Sequence, residues 1–233
     1  LEVIAALAGA PHYVVHLSSA LGLEAVRRGR TAGNAVAAET CPQYLLLDVD
    51  EYGGPDDDSL HARAFVMSPP LRTESDREAL WAALAGGEVQ FVGTDHCSFD
   101  LVGQKDEATD FAHVPNGIPG IELRMALMYS AGVAAGRLDL TRLAEVTATN
   151  AARYFGLYPR KGALVPGADA DVVVLDPQQR WTVTHAALHE DVDHTPYEGI
   201  EVQGRVRDVL LRGRHAVVDG HLTADLPAGH YLP

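Results

Sequence analysis

Strand-like and helix-like segments alternate between Pro11 and Gly93, and that alternation leaves few architectures open to the chain. The run His12-Tyr13-Val14-Val15-His16 is short and β-branched, as suits a buried parallel strand. It follows nine residues that read as the end of a helix closed by Gly9-Ala10-Pro11. Ser18 or Ser19 can cap a helix from Leu21 to Arg30, and Gly33 separates it from a second strand, Ala35 to Glu39. This is strand, helix, strand at the spacing of a βαβ unit. Thr73 and Asp76 form a capping-box pair ahead of Ala79 to Leu84, Gly86-Gly87 ends that helix, and a strand from Val89 to Gly93 follows. The acidic, Gly/Pro-rich stretch from Asp48 to Asp58 reads as a loop. Ile121 to Ala135 and Leu140 to Phe155 read as two amphipathic helices.

Past Gly156 the pattern becomes β-rich. Asp171 to Leu175, Val202 to Val206, Val209 to Leu211 and Ala216 to Val218 are short apolar runs punctuated by Gly and Pro. The expected fold class is α/β: the C-terminal part of a TIM-like barrel, followed by a small β-rich module. The barrel portion is expected over residues 1–160, the module over 161–222 and an extended tail over 223–233. A closed (β/α)8 barrel needs eight strands and typically about 250 residues, whereas three strand–helix units are visible here. Unpaired sheet edges are costly, so further sequence is expected to complete the barrel.

Bulk properties exclude some classes. The formal net charge is −14 over 233 residues, with no basic footprint for nucleic acid. No run of about 18 apolar residues offers a membrane span. The chain opens on Leu1 without the charged and apolar regions of a secretory signal, so a segment of a longer cytoplasmic protein is expected. Cys41 and Cys97 lie far apart and form no CxxC pair, which suits a reducing compartment. Lysine is scarce: Lys105 and Lys161 are the only two.

In parallel α/β folds, chemistry gathers at the C-terminal ends of the strands. Two strands deliver polar groups there: Val14-Val15 exits into His16, and Phe91 to Thr94 exits into Asp95. An imidazole and a carboxylate on such ends suit zinc or manganese. On these features alone, a hydrogen-bonded histidine and a helix cap account for the pair as well.

The local words around the pair carry more information. They run Val15-His16-Leu17-Ser18-Ser19, Glu39-Thr40-Cys41-Pro42-Gln43-Tyr44-Leu45, Met67-Ser68-Pro69-Pro70-Leu71-Arg72 and Gly93-Thr94-Asp95-His96-Cys97. Pro115-Asn116-Gly117-Ile118-Pro119-Gly120 and Phe155-Gly156-Leu157-Tyr158-Pro159-Arg160-Lys161-Gly162 complete the series. In this order and spacing the chain resembles the hydantoinase/dihydropyrimidinase group of the amidohydrolases over nearly its whole length. The resemblance implies ring opening of a cyclic amide, a dihydropyrimidine or 5-substituted hydantoin, at two divalent metals, usually zinc. It matches His16 to the sixth-strand metal ligand and Asp95 to the eighth-strand ligand that also shuttles protons. Ser68 and Asn116 match the residues that hold the substrate ring, largely through backbone atoms, and Glu39, Thr40 and Cys41 would lie near the metals without binding them. A homodimer or homotetramer is the implied assembly.

The departures are all of one kind. The first-strand His-x-His pair, the lysine that becomes carboxylated, the fifth-strand His and a Tyr supporting the oxyanion belong to earlier strands and are absent from this chain. Lys105, in a polar loop, and Lys161, in a turn, do not stand in for the bridge. His96 and Cys97 read as packing residues, and His185, His189 and His194 as scattered surface histidines. Three alternatives stand beside the hydantoinase reading: a related scaffold protein without catalysis, an allantoinase or dihydroorotase, and a β-rich binding module.

Overall fold

The computed structural model describes residues 2–54, 57–226 and 228–232, so Pro55 and Asp56 of the loop expected after Asp48, and Pro227 and Pro233 of the tail, lie outside the described residues. The chain forms two units: Leu1–Arg124 with Val183–Ile200, and Met125–Thr182 with Glu201–Pro233. The boundary expected at residue 160 falls inside the second.

The first unit is built on a parallel sheet of β1 (His12–Val14), β2 (Val36–Thr40) and β3 (Phe91–Val92), in that order. Val14 is in register with Ala38, and Thr40 with Val92. Among the described residues β1 and β3 each pair with β2 alone. Helix α1 (Glu2–Ala8) precedes the sheet, and α2 (Ala20–Thr31) joins β1 to β2. Ser19, of the two candidate serines, is the cap: its Oγ accepts from the Gly22 N–H at 3.1 Å.

Two short helices were not visible in the sequence, α3 (Pro42–Leu46) and α4 (Leu60–Ala64). Five residues are too few to show a 3.6-residue period. The longer α5 (Glu74–Ala85) leads into β3 and packs on both α2 and α3. Leu23 and Val26 of α2 and Leu80, Trp81 and Leu84 of α5 are buried, with Leu80 and Leu84 at 0% exposure. Full burial of each such side chain contributes about 1.5–3 kcal/mol.

Helix α6 (Arg124–Met128), all but its first residue in the second unit, begins three residues later than expected and continues through Tyr129–Ala134 in wider π turns. Helix α7 (Leu140–Ala144) is capped by Asp139 and runs through Glu145–Thr149 into α8 (Asn150–Tyr154). The antiparallel sheet is β4 (Val172–Thr182), β5 (Glu201–Leu211), β6 (Arg214–Val218) and β7 (His221–Leu222), in that order. Two runs expected as separate strands are one strand, β5. Arg212-Gly213 and Asp219-Gly220 make the two hairpin turns, with φ of 49° and 77°, and of 50° and 79°. Positive φ at both central residues is the type I′ turn that matches strand twist. No helix among the described residues is long and apolar enough to cross a membrane.

The capping box of α5 also fastens α2. Thr73 Oγ1 accepts from Asp76 N at 3.4 Å, and Asp76 Oδ1 accepts from Ala20 N at 2.8 Å, so one carboxylate serves two helix starts. Burial pushes the Asp76 carboxyl up, but the donors Thr73 Oγ1, Ala20 N and Thr73 N, with the charge of Arg72, hold it below its ordinary value. A depressed carboxyl contributes stability above its unfolded pKa of about 4 and loses it as pH falls through the folded value. Thr73→Ala should therefore lower unfolding free energy by about 1 kcal/mol, read as a shifted denaturant midpoint at unchanged slope. The stability gap between wild type and Asp76→Asn should narrow as the pH falls below about 4; a gap of constant size across that range would show that the carboxylate's charge is not what is used.

Candidate functional site

Both strand-end residues lie in the left-handed region, His16 at φ 39° and Asp95 at φ 50°. Among the described residues four non-glycine positions have positive φ, and the other two, Arg212 and Asp219, are accounted for by hairpin turns. His16 and Asp95 have no such turn to explain them. Non-glycine residues held there cost about 1–3 kcal/mol each and persist only where neighbours over-determine them. Strands β1 and β3 are shorter than the sequence suggested, ending at Val14 and Val92.

The neighbours that hold both bends come from the end of β2. Leu17 N donates to Glu39 O at 2.7 Å, and Thr40 Oγ1 donates back to Leu17 O at 2.8 Å. On the other side, Gly93 N donates to Thr40 O at 2.9 Å, and Gln43 Nε2 donates to Thr94 O at 3.2 Å. Thr40, at 0% exposure, thus fastens both the His16 and the Asp95 bend. The two outer strands lie two strand spacings apart, roughly 10 Å.

Glu39 organises the other face of the same strand end. Tyr13 donates its hydroxyl to Glu39 Oε2 at 2.8 Å, and a Cβ at Gly93 would meet the Glu39 carboxylate at 2.7 Å. Glycine at 93 is what lets that carboxylate lie across β3. Burial, reinforced by the charges of Glu39 and Asp95, pushes the Cys41 thiol far up, so it stays protonated. His16 is half-buried and Asp95 exposed. Their chemistry is complementary: an imidazole able to ligate a cation, and a carboxylate able to ligate it or to take and return a proton. Among the described residues no three His, Cys, Asp or Glu side chains group as a metal cage. A catalytic zinc keeps about three protein ligands, more than the two side chains that His16 and Asp95 could offer.

Ser68 and Asn116 meet in one cavity of about 510 Å³, lined also by Tyr52, Arg63, Met67 and Phe111; neither His16 nor Asp95 lines it. The Ser68–Arg72 loop is pinned from outside, by Tyr44 Oη donating to Pro69 O at 2.9 Å and Leu71 N donating to Tyr52 Oη at 3.0 Å. The Asn116 loop is pinned by Gly117 N on Val66 O at 3.1 Å. At its far end, Gly120 N and Ile121 N both donate to His96 Nδ1. His96 is therefore a loop anchor, in keeping with the packing role read from sequence.

Other expectations need correction. The side chain of Lys105, in the stretch the sequence marks as a polar loop, is fully buried, with its ammonium on two main-chain carbonyls. His194 is not a surface residue: its side chain is 9% exposed beside Asp193, and burial lowers its pKa. Lys161 pairs with Asp169 at 3.0 Å and with Asp171. Sequence reasoning gave no role to Gln43, Tyr44, Tyr52 and Arg63; Gln43 and Tyr44 lie inside a quoted word, whereas Tyr52 and Arg63 carried no signal.

Thr40→Val keeps shape but strands Leu17 O. It should cost about 1–3 kcal/mol, with faster amide exchange at both Leu17 and Gly93. Loosening confined to one bend would contradict the shared anchor.

A sequence profile of the Amidohydrolase family matches residues 16–216. A D-phenylhydantoinase of Escherichia coli O1:K1 / APEC is 42% identical over 231 residues, which are 98% of this chain and 49% of that protein. The D-hydantoinase of Bacillus sp. AR9 superposes with a TM-score of 0.91 at 43% identity, over 95% of this chain and 48% of that one. The dihydropyrimidinase of Brevibacillus agri NCHU1002 gives 0.90 at 40%, over 95% and 48%. The chain spans about half the length of the relatives it matches. Its fold class is theirs: part of an α/β barrel with an attached antiparallel sheet. By profile, identity and superposition alike, this chain belongs to the amidohydrolase family.

Proposed function

We propose that the protein carrying this chain opens cyclic amide rings by hydrolysis, taking a dihydropyrimidine or a 5-substituted hydantoin to the N-carbamoyl amino acid. The observation that carries the reading is the pair of strained residues, His16 and Asp95, at the C-terminal ends of two strands fastened to one anchor on β2. Its relatives' names, D-phenylhydantoinase and dihydropyrimidinase, point to the same chemistry.

In this reading His16 and Asp95 are ligands to a divalent metal pair, taken as zinc, whose remaining ligands come from outside the chain. When bound, such ions would acidify water and polarise the ring carbonyl. Asp95 has a second task, to accept the attacking water's proton and deliver it to the departing ring nitrogen. Its exposed carboxylate and the backbone fixed by Gln43 suit a group that must move a proton without moving itself. By the same resemblance Ser68 and Asn116 hold the imide edge of the ring, largely through backbone atoms. On the same resemblance the assembly is a homodimer or homotetramer in a reducing cytoplasm, where Cys41 and Cys97 remain thiols.

The test uses the full-length protein, loaded with zinc, with dihydrouracil and a 5-substituted hydantoin as substrates. Asp95→Ala should lower kcat by at least a factor of about 10². Metal analysis should give about two ions per subunit in wild type. Near-normal ring opening by Asp95→Ala would refute its proton role, and a wild type that binds no metal would favour the scaffold reading. Asn116→Ala, which removes the Asn116 Nδ2 bond to Val114 O and so loosens the loop that holds the ring, should instead raise KM with a smaller change in kcat.

A further inference from the structure

At the wall of the Ser68/Asn116 cavity, which Arg63 and Val66 help to line, two cations are interlocked. Lys105 Nζ donates to Arg63 O at 3.2 Å and to Val66 O at 2.9 Å. In return, the carbonyls of Lys105, Asp106 and Ala108 gather on Arg63 Nη1 at 3.2, 2.8 and 2.9 Å. Arg63 has a carboxylate partner, Asp58, through two contacts of 2.8 Å. Among the described residues no carboxylate pairs with Lys105, which is 0% exposed.

Val66 O is the junction. It accepts from Lys105 Nζ and from Gly117 N, and so joins three segments through one carbonyl oxygen. Ser68 is two residues downstream of that oxygen, and Gly117 directly follows Asn116. The distance between the two ring-holding residues is therefore set where Lys105 bonds. Gly117 is committed to this arrangement: its φ is 152°, and a Cβ there would lie 2.3 Å from Cys97 O.

An ammonium buried on carbonyls alone is an expensive way to close a loop. Burial lowers the Lys105 pKa to about 8, the sign of a desolvated charge. A methionine would fill the same space without that cost. Local violations of this kind concentrate at functional sites.

We propose that Lys105 is a positioning residue for the substrate: through the Val66 carbonyl, its side chain holds the Ser68 and Asn116 segments at the spacing that receives a ring's imide edge. This rests on the hydrolase reading above. Lys105 does not line the cavity, so it acts through those two residues rather than on the substrate.

Lys105→Met in the full-length, metal-loaded protein tests the idea. KM for dihydrouracil or hydantoin should rise by roughly tenfold or more, as expected for loss of a hydrogen bond to a charged group, while kcat stays within about threefold and metal content is unchanged. Hydrogen exchange should accelerate together in residues 64–70 and 114–120 and not in α2 or α5. Lys105→Gln, which keeps a neutral donor, should recover part of the KM, and it carries the comparison if the Met variant does not fold. An unchanged KM, a fall in kcat alone, or exchange that rises in only one of the two segments would overturn the proposal. If wild type opens no ring, the hydrolase reading fails, and the exchange result still decides whether Lys105 couples the segments.

Discussion

The buried hydroxyl and carbonyl of Thr40 are the constraint on which the rest of the first unit depends. Parallel strands offer only evenly spaced main-chain bonds, and those bonds cannot hold a neighbour that turns out of the ladder. At His16 and Asp95 the neighbours do turn out, into a backbone region that repels most side chains. Something must therefore meet the donors and acceptors released by each bend. Glu39 O, Thr40 Oγ1, Thr40 O and Gln43 Nε2 do so from one short stretch of chain. The cost of two strained residues is carried by a central strand that is buried on alternate positions and flanked on both sides.

The Ser68/Asn116 cavity follows the same logic with longer levers. Its two loops contain prolines and glycines and little regular structure, so their own hydrogen bonds cannot set their spacing. Tyr44, Tyr52 and His96 tie them from outside, and the Arg63–Lys105 pair ties them from behind. Most of these partners are separated in sequence by twenty to forty residues. Such ties form only after the sheet has brought α3, α4 and the loop after β3 together.

Much of this was legible beforehand. The βαβ alternation, the capping box at Thr73 and Asp76 and the placing of His16 and Asp95 at strand ends rest on signals a few residues long, namely periodicity, cap chemistry and strand exit. What failed did so for equally local reasons. Helices α3 and α4 are too short to show a period, and β5 read as two strands because Arg207 and Asp208 interrupt its apolar run. The burial of Lys105 was not legible, because its neighbours Gln104 and Asp106 are polar and the acceptors that hold it lie about forty residues away.

By itself, then, the sequence determined which elements form and that His16 and Asp95 follow the ends of two of them, because strand exits, caps and turns are decided by neighbours along the chain. Only the tertiary structure decided how those residues are held: the left-handed backbone at 16 and 95, the shared anchor at Thr40 and the buried ammonium behind Ser68 and Asn116. Each of these is a balance between local strain or desolvation and hydrogen bonds from distant segments, and a balance of that kind has no value until the distant partner is in place.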